Sequence, residues 1–508
     1  MAMNAAVVRW TRVARLSASA AMTLTALALA SSAGEARAAL RPVNPRVAAI
    51  RDVAGVSPFT GRDCNVTTPY YTSPDGKEGE PYVAVNPRDS RNRITVWMDA
   101  ARATDDTAYT LDAGQTWTES IAPGIDACTG NRTRPWEASG DPWISFGPDG
   151  VAYLSTLTWA HFATPPFSDY VSVVHVQTSH DGGMTWSEPV LLSAANAVSD
   201  KPMVVADPEH AGVAYEIWRN QAFGLPVGAR GRTRLYLAFT RDGGESWSAP
   251  ITIARGELSD FFGNPQLSVL HDGTLVATSS LANATGATNL LAWRSPDAGM
   301  HWQGPAVIRQ ASAGSLAAIC GQSTAGADTS AASGQQTLAN GHSVVLVSIG
   351  GASAAARTGE IIMSRSDDAG ATWRSWTVVR SALPVMLASV SANRHGQLGL
   401  VWDQINTAAA DCSGPTIPTR SLFATSNDAG KSWSEPVTLG ASAWNLGSGI
   451  RGSGGFSGYF VGDYQALAPT PGGYTTATVQ GEPLEAGAPP IHGNTGVMVA
   501  NVDIPGSS

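Results

Sequence analysis

The sequence predicts an all-β protein that folds as a β-propeller, and three observations carry this prediction. The pattern Ser/Thr-x-Asp-x-Gly-x-Thr/Ser-Trp occurs six times, at intervals of roughly 55 to 70 residues, which is the signature of a repeat architecture. A second, looser repeat lies upstream of each copy. The 508 residues include 53 Gly and 31 Pro and are only 14% charged, as is typical of a turn-rich β protein.

Each copy of the short pattern reads as the turn of a β-hairpin. The copies span residues 110–117, 179–186, 240–247, 295–302, 366–373 and 426–433, and only the fourth departs, with His301 at the Thr/Ser position. An alternating strand (Leu235, Leu237, Phe239) precedes the third copy. The Asp can bond backbone amides two residues on, and the Gly closes the turn at positive φ. We therefore interpret these Asp residues as folding devices remote from any site: Asp112, Asp181, Asp242, Asp297, Asp368 and Asp428.

The second repeat supplies the innermost strand of each blade. It begins with an acidic or polar residue, often followed by Pro and a short apolar strand. The clear copies are Glu80-Pro81-Tyr82, Asp141-Pro142-Trp143, Lys201-Pro202-Met203, Asn264-Pro265-Gln266 and Gly462-Asp463-Tyr464, and weaker copies begin near Gln335 and Pro384.

Seven inner strands but six hairpin patterns favour seven four-stranded blades over six. The last blade lacks its outer strand, which residues 46–50 or 56–59 from the N-terminal end can supply. Pairing the two chain ends in this way closes the ring and removes exposed sheet edges.

The hairpin pattern resembles the Asp-boxes, or bacterial neuraminidase (BNR) repeats, of sialidase-like β-propellers, over nearly the whole chain after its leader. The stretches around Glu80, Asp141 and Asp463 are similar to those of secreted bacterial members. The resemblance implies a glycan-acting hydrolase, with an exo-α-sialidase as the specific candidate. Sialidases use an arginine triad, a Tyr nucleophile and an Asp acid/base, and carry a Phe/Tyr-Arg-Ile-Pro stretch. The nearest match to that stretch here is Thr133-Arg134-Pro135.

The N-terminus reads as a secretory signal over residues 1–38. Arg9, Arg12 and Arg15 precede an apolar run over residues 17–30, and Ala36-Arg37-Ala38 is a small-x-small cleavage site. The run is too short for a good spanning helix. We therefore expect one propeller domain over residues 39–508, secreted or periplasmic.

Composition limits the class of binding partner, and the cysteine content indicates disulfides. A net charge of −9 argues against nucleic acid, and we expect a monomer that binds carbohydrate. Four cysteines in an oxidising compartment favour disulfides in one of three pairings, of which Cys64 with Cys128 is preferred for its closeness in sequence. We expect no required cofactor, although clustered carboxylates leave calcium open.

Polar residues that open the innermost strands are the candidate site, because those strand ends converge on the ring axis. They are Glu80, Asp141, Asp200, Asn264 and Asp463. Carboxylates gathered there repel one another and shift each other's pKa values, as acid/base chemistry requires. A cation is the alternative occupant of such a cluster, and strand capping is the alternative role of each residue.

Roles follow from residue type. We predict Glu80, Asp141, Asp463 and Tyr464 as catalytic residues, and assign substrate binding to a second set: Arg134, Trp143, Asp200, Arg219 and Asp403. Arg134 or Arg219 would hold an anionic sugar, and a Trp face suits stacking on a sugar ring. Two alternatives remain: a polysaccharide lyase using Tyr464, His161 and Arg219, and a propeller that binds glycans or proteins without turnover.

Overall fold

The computed structural model describes most of the chain from residue 43 to residue 506. The undescribed residues within that span are 56, 60–63, 65–76, 131–135, 162–169, 195–197, 221–231, 258–259, 284–287, 312–331, 339, 351–357, 415, 451–458, 489–490 and 492, together with the side chains of 161, 170, 311 and 332–334. The predicted signal segment and Arg134 therefore lie outside the described residues.

Seven antiparallel sheets make up the fold, each a blade. Blade one contains β2 (Glu78–Val85), β3 (Arg93–Asp99), β4 (Thr104–Thr110) and β5 (Thr118–Ser120). Blade two contains β6 (Ala138–Phe146), β7 (Ala152–His161), β8 (Tyr170–Ser179) and β9 (Val190–Leu191). Blade three contains β10 (Ser199–Ala206), β11 (Ala214–Asn220), β12 (Arg234–Thr240) and β13 (Ile251–Arg255). Blade four contains β14 (Phe261–Phe262), β15 (Gln266–Val269), β16 (Leu275–Ala282), β17 (Thr288–Ser295) and β18 (Gln303–Ala311).

The remaining three blades repeat the same order. Blade five contains β19 (Ala332–Thr337), β20 (Val344–Gly350), β21 (Gly359–Ser366) and β22 (Arg374–Ser381). Blade six contains β23 (Val385–Ala392), β24 (Leu398–Ile405), β25 (Pro418–Ser426) and β26 (Val437–Asn445). Blade seven contains β27 (Ala466–Thr470), β28 (Gly473–Gly481), β29 (Thr495–Asp503) and, from the other end of the chain, β1 (Arg46–Asp52). Two 3₁₀ helices, Thr407–Ala409 and Leu446–Ser448, are the helices of the described residues.

The chain ends close the ring, as predicted. Strand β1 pairs antiparallel with β29, from Arg46 opposite Asp503 to Asp52 opposite Met498. Of the two candidate closing segments, the structure uses the first. The innermost strands pack side by side around the ring in the order β2, β6, β10, β15, β19, β23, β27 and back to β2. The prediction of seven blades is confirmed.

The Asp-boxes are hairpin turns between the third and fourth strands of blades one to six. In the second box, Asp181 Oδ1 accepts hydrogen bonds from the Thr185 amide (2.9 Å) and the Ser179 hydroxyl (2.9 Å), while Oδ2 accepts one from the Thr185 hydroxyl. In the fourth box, the His301 ring replaces that hydroxyl, with Nδ1 2.6 Å from Asp297 Oδ2. Local donors thus satisfy each carboxylate, as expected of folding devices.

The glycine of boxes two to six also fixes the spacing of the blades. Gly299 adopts φ +91°, and a Cβ on it would lie 2.3 Å from Leu237 Cδ2 of the preceding blade. Gly183 meets Ile94 in the same way, at 2.8 Å. A side chain there would push neighbouring blades apart, so the box needs Gly for packing as well as for its turn.

The core lies between blades. One cluster joins Trp143 and Tyr153 of blade two, Ile217 and Leu235 of blade three and Leu267 of blade four. Cys64 and Cys128 form a disulfide, which confirms the preferred pairing. Cys412 is disulfide-bonded as well, while Cys320 lies outside the described residues. No helix in the described part of the chain is long and apolar enough to cross a membrane.

Candidate active site on the ring axis

The innermost strands of blades one to three each carry a β-bulge at the same level. The pairing register with the second strand shifts between Gly79 and Tyr82, between Gly140 and Trp143, and between Asp200 and Met203. A bulge leaves its extra residue unpaired and re-aims the side chain. It also tolerates the following proline, which has no amide to donate.

The bulge residues Glu80, Asp141 and Lys201 adopt left-handed backbone conformations, with φ of 53°, 54° and 52°. Such a conformation costs a non-glycine residue about 1–3 kcal/mol. Leu387 of blade six shares it, with φ 52°, so the bulge belongs to the architecture. Among the described residues, this bulge carries a charged side chain in blades one to three.

The three bulge side chains meet at the Lys201 ammonium. Its Nζ lies 3.2 Å from Glu80 Oε1 and 2.7 Å from Asp141 Oδ1, and it also pairs with Asp463 Oδ2. Glu80 lies in blade one, Asp141 in blade two, and Asp463 just before β27 of blade seven. Side chains from blades that are not neighbours meet in this way only inside the ring, so the cluster lies on its axis. We call Glu80, Asp141, Lys201 and Asp463 the axial cluster.

The two bulge carboxyls form a pair whose pKa values are shifted in opposite directions. Glu80 Oε2 accepts a hydrogen bond from the Asp141 amide (3.2 Å). Burial and the neighbouring Asp141 charge raise the pKa of Glu80 well above its usual range. Burial also acts to raise the pKa of Asp141, but Lys201 and a hydrogen bond with Glu80 outweigh it and hold that pKa at about 2. Glu80 is therefore the carboxyl of the pair that keeps a proton to the higher pH.

Lys201 remains charged although it is buried. Burial disfavours its ammonium form, but the carboxylates of Asp141, Asp463 and Glu80 outweigh burial and raise its pKa well above the usual range. Burial raises the pKa of Asp463, against the opposing pull of Lys201. The oxygens of Glu80, Asp141 and Asp463 lie within 4.8 Å of one another, a spacing that suits a cation. Here the ammonium is the cation they hold.

Asp200 and Arg219 form a second ion pair beside the axial cluster. Arg219 Nη2 lies 2.6 Å from Asp200 Oδ2, and its Nε donates to the same oxygen at 3.2 Å. The guanidinium also donates to the Phe262 carbonyl and lies 4.3 Å from the centre of the Phe261 ring. Burial raises the pKa of Asp200, against the attraction of Arg219 and Lys201. The structure thus places two of the five predicted binding residues, Asp200 and Arg219, beside the axial cluster, bonded to each other.

Tyr464 and Trp143 lie beneath the carboxyls rather than exposed to solvent. The Tyr464 hydroxyl donates to the Pro142 carbonyl (2.8 Å). Trp143 is 4% exposed and stacks on Tyr82 with ring centroids 3.7 Å apart. Burial, reinforced by the charges of Glu80 and Asp141, raises the pKa of Tyr464 well above its usual range. Tyr464 is therefore a protonated donor that supports the blade-two bulge.

A further acidic layer lies behind Asp141. Asp126 Oδ2 accepts hydrogen bonds from the Ser139 and Thr104 hydroxyls, each at 2.6 Å. Asp105 is 2% exposed and its amide donates to Ser139 Oγ at 2.9 Å. Burial and the charges of Asp126 and Asp141 raise the pKa of Asp105 well above its usual range. These residues do not open innermost strands, so the strand pattern does not predict this layer.

The other predicted residues lie apart from the cluster. Asp403, in β24 of blade six opposite Met386, is fully buried, and burial raises its pKa to about 7 despite a hydrogen bond from Ser421. No contact among the described residues joins it to the axial cluster. Asn264 is buried before β15 of blade four. The side chain of His161 and all of Arg134 lie outside the described residues.

Lys201 is the residue that sequence reasoning missed. The sequence predicts that Asp200 occupies the position in blade three that corresponds to Glu80 and Asp141. In the structure, Lys201 occupies that bulge position. The signal was present, because Glu80, Asp141 and Lys201 each precede a proline. A search for carboxylates overlooked the one cation in that register.

Comparisons with known proteins match one repeat model and several solved structures of low identity. The family model for the BNR/Asp-box repeat matches residues 177–188, the second box. No curated protein matches the chain. Among solved structures, the "Hadza microbial sialidase Hz136" has a TM-score of 0.45 at 13% identity, over 83% of this chain and 75% of that one. A Dyadobacter fermentans protein of unknown function has a TM-score of 0.44 at 12% identity, over 91% and 99%. A PL25 ulvan lyase has a TM-score of 0.41 at 13% identity, over 64% and 76%.

The class of protein follows from the boxes and the ring together. The chain is an all-β propeller of seven blades, and Asp-box turns join the last two strands within each of blades one to six. The BNR/Asp-box repeat model matches one of these turns, and the same residue pattern recurs in the other five.

Proposed function

We propose that this protein is a secreted glycan-acting hydrolase whose reaction takes place at the axial cluster. The observation that carries the proposal is the Glu80–Asp141 pair, two adjacent carboxyls on the ring axis whose surroundings raise the pKa of Glu80 and lower the pKa of Asp141. Groups whose environments drive their pKa values apart can serve as acid and nucleophile at one pH. Both are held on bulges that aim their side chains at the ring axis.

In this mechanism Glu80 is the general acid and Asp141 the nucleophile, because their oxygens lie within 4.8 Å of each other, too close to hold a water and the anomeric carbon between an acid and a base. Glu80 gives its proton to the glycosidic oxygen as the bond to the anomeric carbon breaks and an Asp141 oxygen bonds that carbon. A water then attacks the same carbon and gives its proton to Glu80, while the bond to Asp141 breaks and releases its carboxylate. Lys201 stabilises the Asp141 carboxylate before and after this cycle.

The alternatives are less well supported by the same geometry. A Tyr464 nucleophile or lyase base would have to lose its proton beside buried carboxyls that oppose its ionisation. An exo-α-sialidase is the specific candidate that the Asp-box resemblance suggests. It needs cations for the sugar carboxylate, whereas Arg219 is already bonded to Asp200 and Phe262. Binding without turnover uses the same face and is an outcome of the test.

The test is turnover by the purified protein on a panel of fluorogenic glycosides that includes an α-sialoside. We expect release of the fluorophore by the wild type and a loss of at least a hundredfold in kcat for Asp141→Asn, which removes the nucleophile, and for Glu80→Gln, because general acid–base catalysis contributes about 10²–10⁴-fold. Asp181→Asn, in the second Asp-box, is the matched control and should keep kcat. Release that persists in both axial variants would reject this site, and folded protein without release on any glycoside would reject the hydrolase.

A further inference from the structure

The hydrogen-bonding capacity of the axial cluster leads to a substrate class. We infer that the site accepts a sugar unit that carries no anionic group, with preference for one that carries a free amine, and rejects sialic and uronic acids. The inference rests on the proposed function for its catalytic meaning. It concerns ligand charge, however, and is tested by binding as well as by turnover.

The cations of the described site have few accessible donors left for an anionic ligand. An ammonium has three N–H donors, and Lys201 has three carboxyl partners, Glu80, Asp141 and Asp463. The Arg219 guanidinium has five N–H donors; three of them bond Asp200 and the Phe262 carbonyl, and its side chain is 6% exposed. A ligand carboxylate could bind Lys201 only by displacing a carboxyl of the protein, and the two remaining N–H groups of Arg219 belong to a buried side chain that is already paired with Asp200.

Acceptors, by contrast, are in excess. An ionised carboxylate offers about four lone-pair sites, and Asp141, Asp200 and Asp463 all face the two cations. The side chain of Asp463 is 15% exposed, the most accessible of the axial carboxyls. Sugar hydroxyls and amines are donors and can use this capacity, whereas a carboxylate or sulfate brings only more acceptors.

The charge balance points the same way. Four carboxyls (Glu80, Asp141, Asp200 and Asp463) face two cations (Lys201 and Arg219), so acidic groups outnumber cations at the site. The acidic layer of Asp105 and Asp126 behind Asp141 adds no positive charge. In a partly desolvated site, a net negative charge attracts an ammonium and repels a carboxylate.

Paired binding and turnover measurements test the inference. Binding is measured by calorimetry with three oligosaccharides: one of glucosamine units, one of N-acetylglucosamine units and one ending in sialic acid, each also as a fluorogenic glycoside. We expect affinity in that order, with no measurable binding of the sialylated ligand. Raising the salt concentration should weaken only the glucosamine ligand, because screening acts on its charge.

One variant links the preference to the site. Asp463→Asn should reduce the ratio of glucosamine to N-acetylglucosamine affinity about fivefold, the factor expected for losing one unit charge about 4 Å away in water. Asp428→Asn, which removes a charge from the sixth Asp-box, is the matched control and should leave the ratio unchanged. If Asp463→Asn does not fold, the salt dependence of the wild type still tests the preference.

The outcomes separate the two proposals. Binding of the amino sugar without turnover would reject the hydrolase and retain the ligand class. Turnover of the sialoside or its tighter binding would overturn the ligand class and retain the hydrolase. Absence of binding by all three ligands would overturn the ligand class as well.

Discussion

Six carboxylates in the Asp-box turns and four carboxyls on the ring axis belong to the same propeller, yet their pKa values move in opposite directions. In the boxes, hydrogen bonds from one turn of backbone and its hydroxyls lower the pKa of Asp112, Asp242 and Asp297 to about 2. On the axis, burial raises the pKa values of Glu80, Asp200 and Asp463.

The difference lies in which residues supply the hydrogen-bond donors to each carboxyl. A box Asp receives its donors from residues within four positions along the chain, and water covers the rest. Burial inside the ring shields an axial carboxyl from water, and other carboxyls lie beside it. Asp141 is the exception that explains the rule, because Lys201 reaches it from the next blade at 2.7 Å and lowers its pKa to about 2. Hydrogen-bond donors can therefore hold a carboxylate ionised in either region, but on the axis only tertiary contacts provide them.

The largest expected effect comes from removing the axial cation. Lys201→Met should cost about 3–5 kcal/mol of unfolding free energy, because it leaves buried carboxylates without their partner. The measurement is urea unfolding at pH 7. Lys431→Met, in the exposed turn of the sixth box, is the matched control and should change stability by less than about 0.5 kcal/mol. Equal stabilities for the two variants would mean that the axial carboxyls do not depend on Lys201.

A smaller effect, with opposite pH dependence in the two regions, is expected for single carboxyls. The folded-state pKa of Asp181 lies below its usual value, since hydrogen bonds from Thr185 outweigh its partial burial. Its stabilisation is therefore present above about pH 4 and is lost as pH falls through the folded-state pKa. Asp181→Asn should cost on the order of 1 kcal/mol at pH 7 and progressively less towards pH 2.

Glu80→Gln is the counterpart on the axis within the same pH series. Because the pKa of Glu80 is raised in the folded state, the wild type loses stability as pH rises above about 4. The amide does not titrate, so the stability of Glu80→Gln relative to wild type should improve with rising pH. Melting temperatures of both variants from pH 3 to pH 8 measure the two trends, and parallel trends would contradict the comparison.

The smallest effect is expected for the one irregular box. His301 bonds Asp297 as Thr185 and Thr372 bond the Asp of their own boxes. His301→Thr restores the common pattern and should leave the melting temperature at pH 7 unchanged. A clear loss of stability would show that the imidazole has a role beyond the turn, while Asp297→Ala in the same assay shows how far loss of the turn lowers the melting temperature.

Local chemistry made most of the fold predictable. The Asp-box acts within eight residues, so its hairpin, its glycine and its Trp can be read without knowing the rest of the chain. The count of inner strands against boxes predicted the seventh blade and its closure by residues 46–50, which β1 confirms. The preferred Cys64–Cys128 pairing is confirmed as well.

The site was only partly predictable, for reasons visible in particular residues. Glu80, Asp141, Asp200 and Asp463 were selected because polar residues opening inner strands must converge on an axis. The register within the bulge was not foreseen, so Asp200 was chosen where Lys201 occupies the equivalent position. Trp143 was expected to offer a sugar-binding face, but stacking on Tyr82 buries it.

The sequence by itself determined the repeats, the turns, the blade number and the closing strand, because each depends on residues that are neighbours along the chain or on simple counting. Only the tertiary structure decided which charges meet. Three carboxyls that are far apart in sequence surround the Lys201 ammonium: those of Glu80, Asp141 and Asp463. They meet because separate blades aim their side chains at a common axis. Their protonation states depend on burial and on each other, and both exist only once the ring has closed.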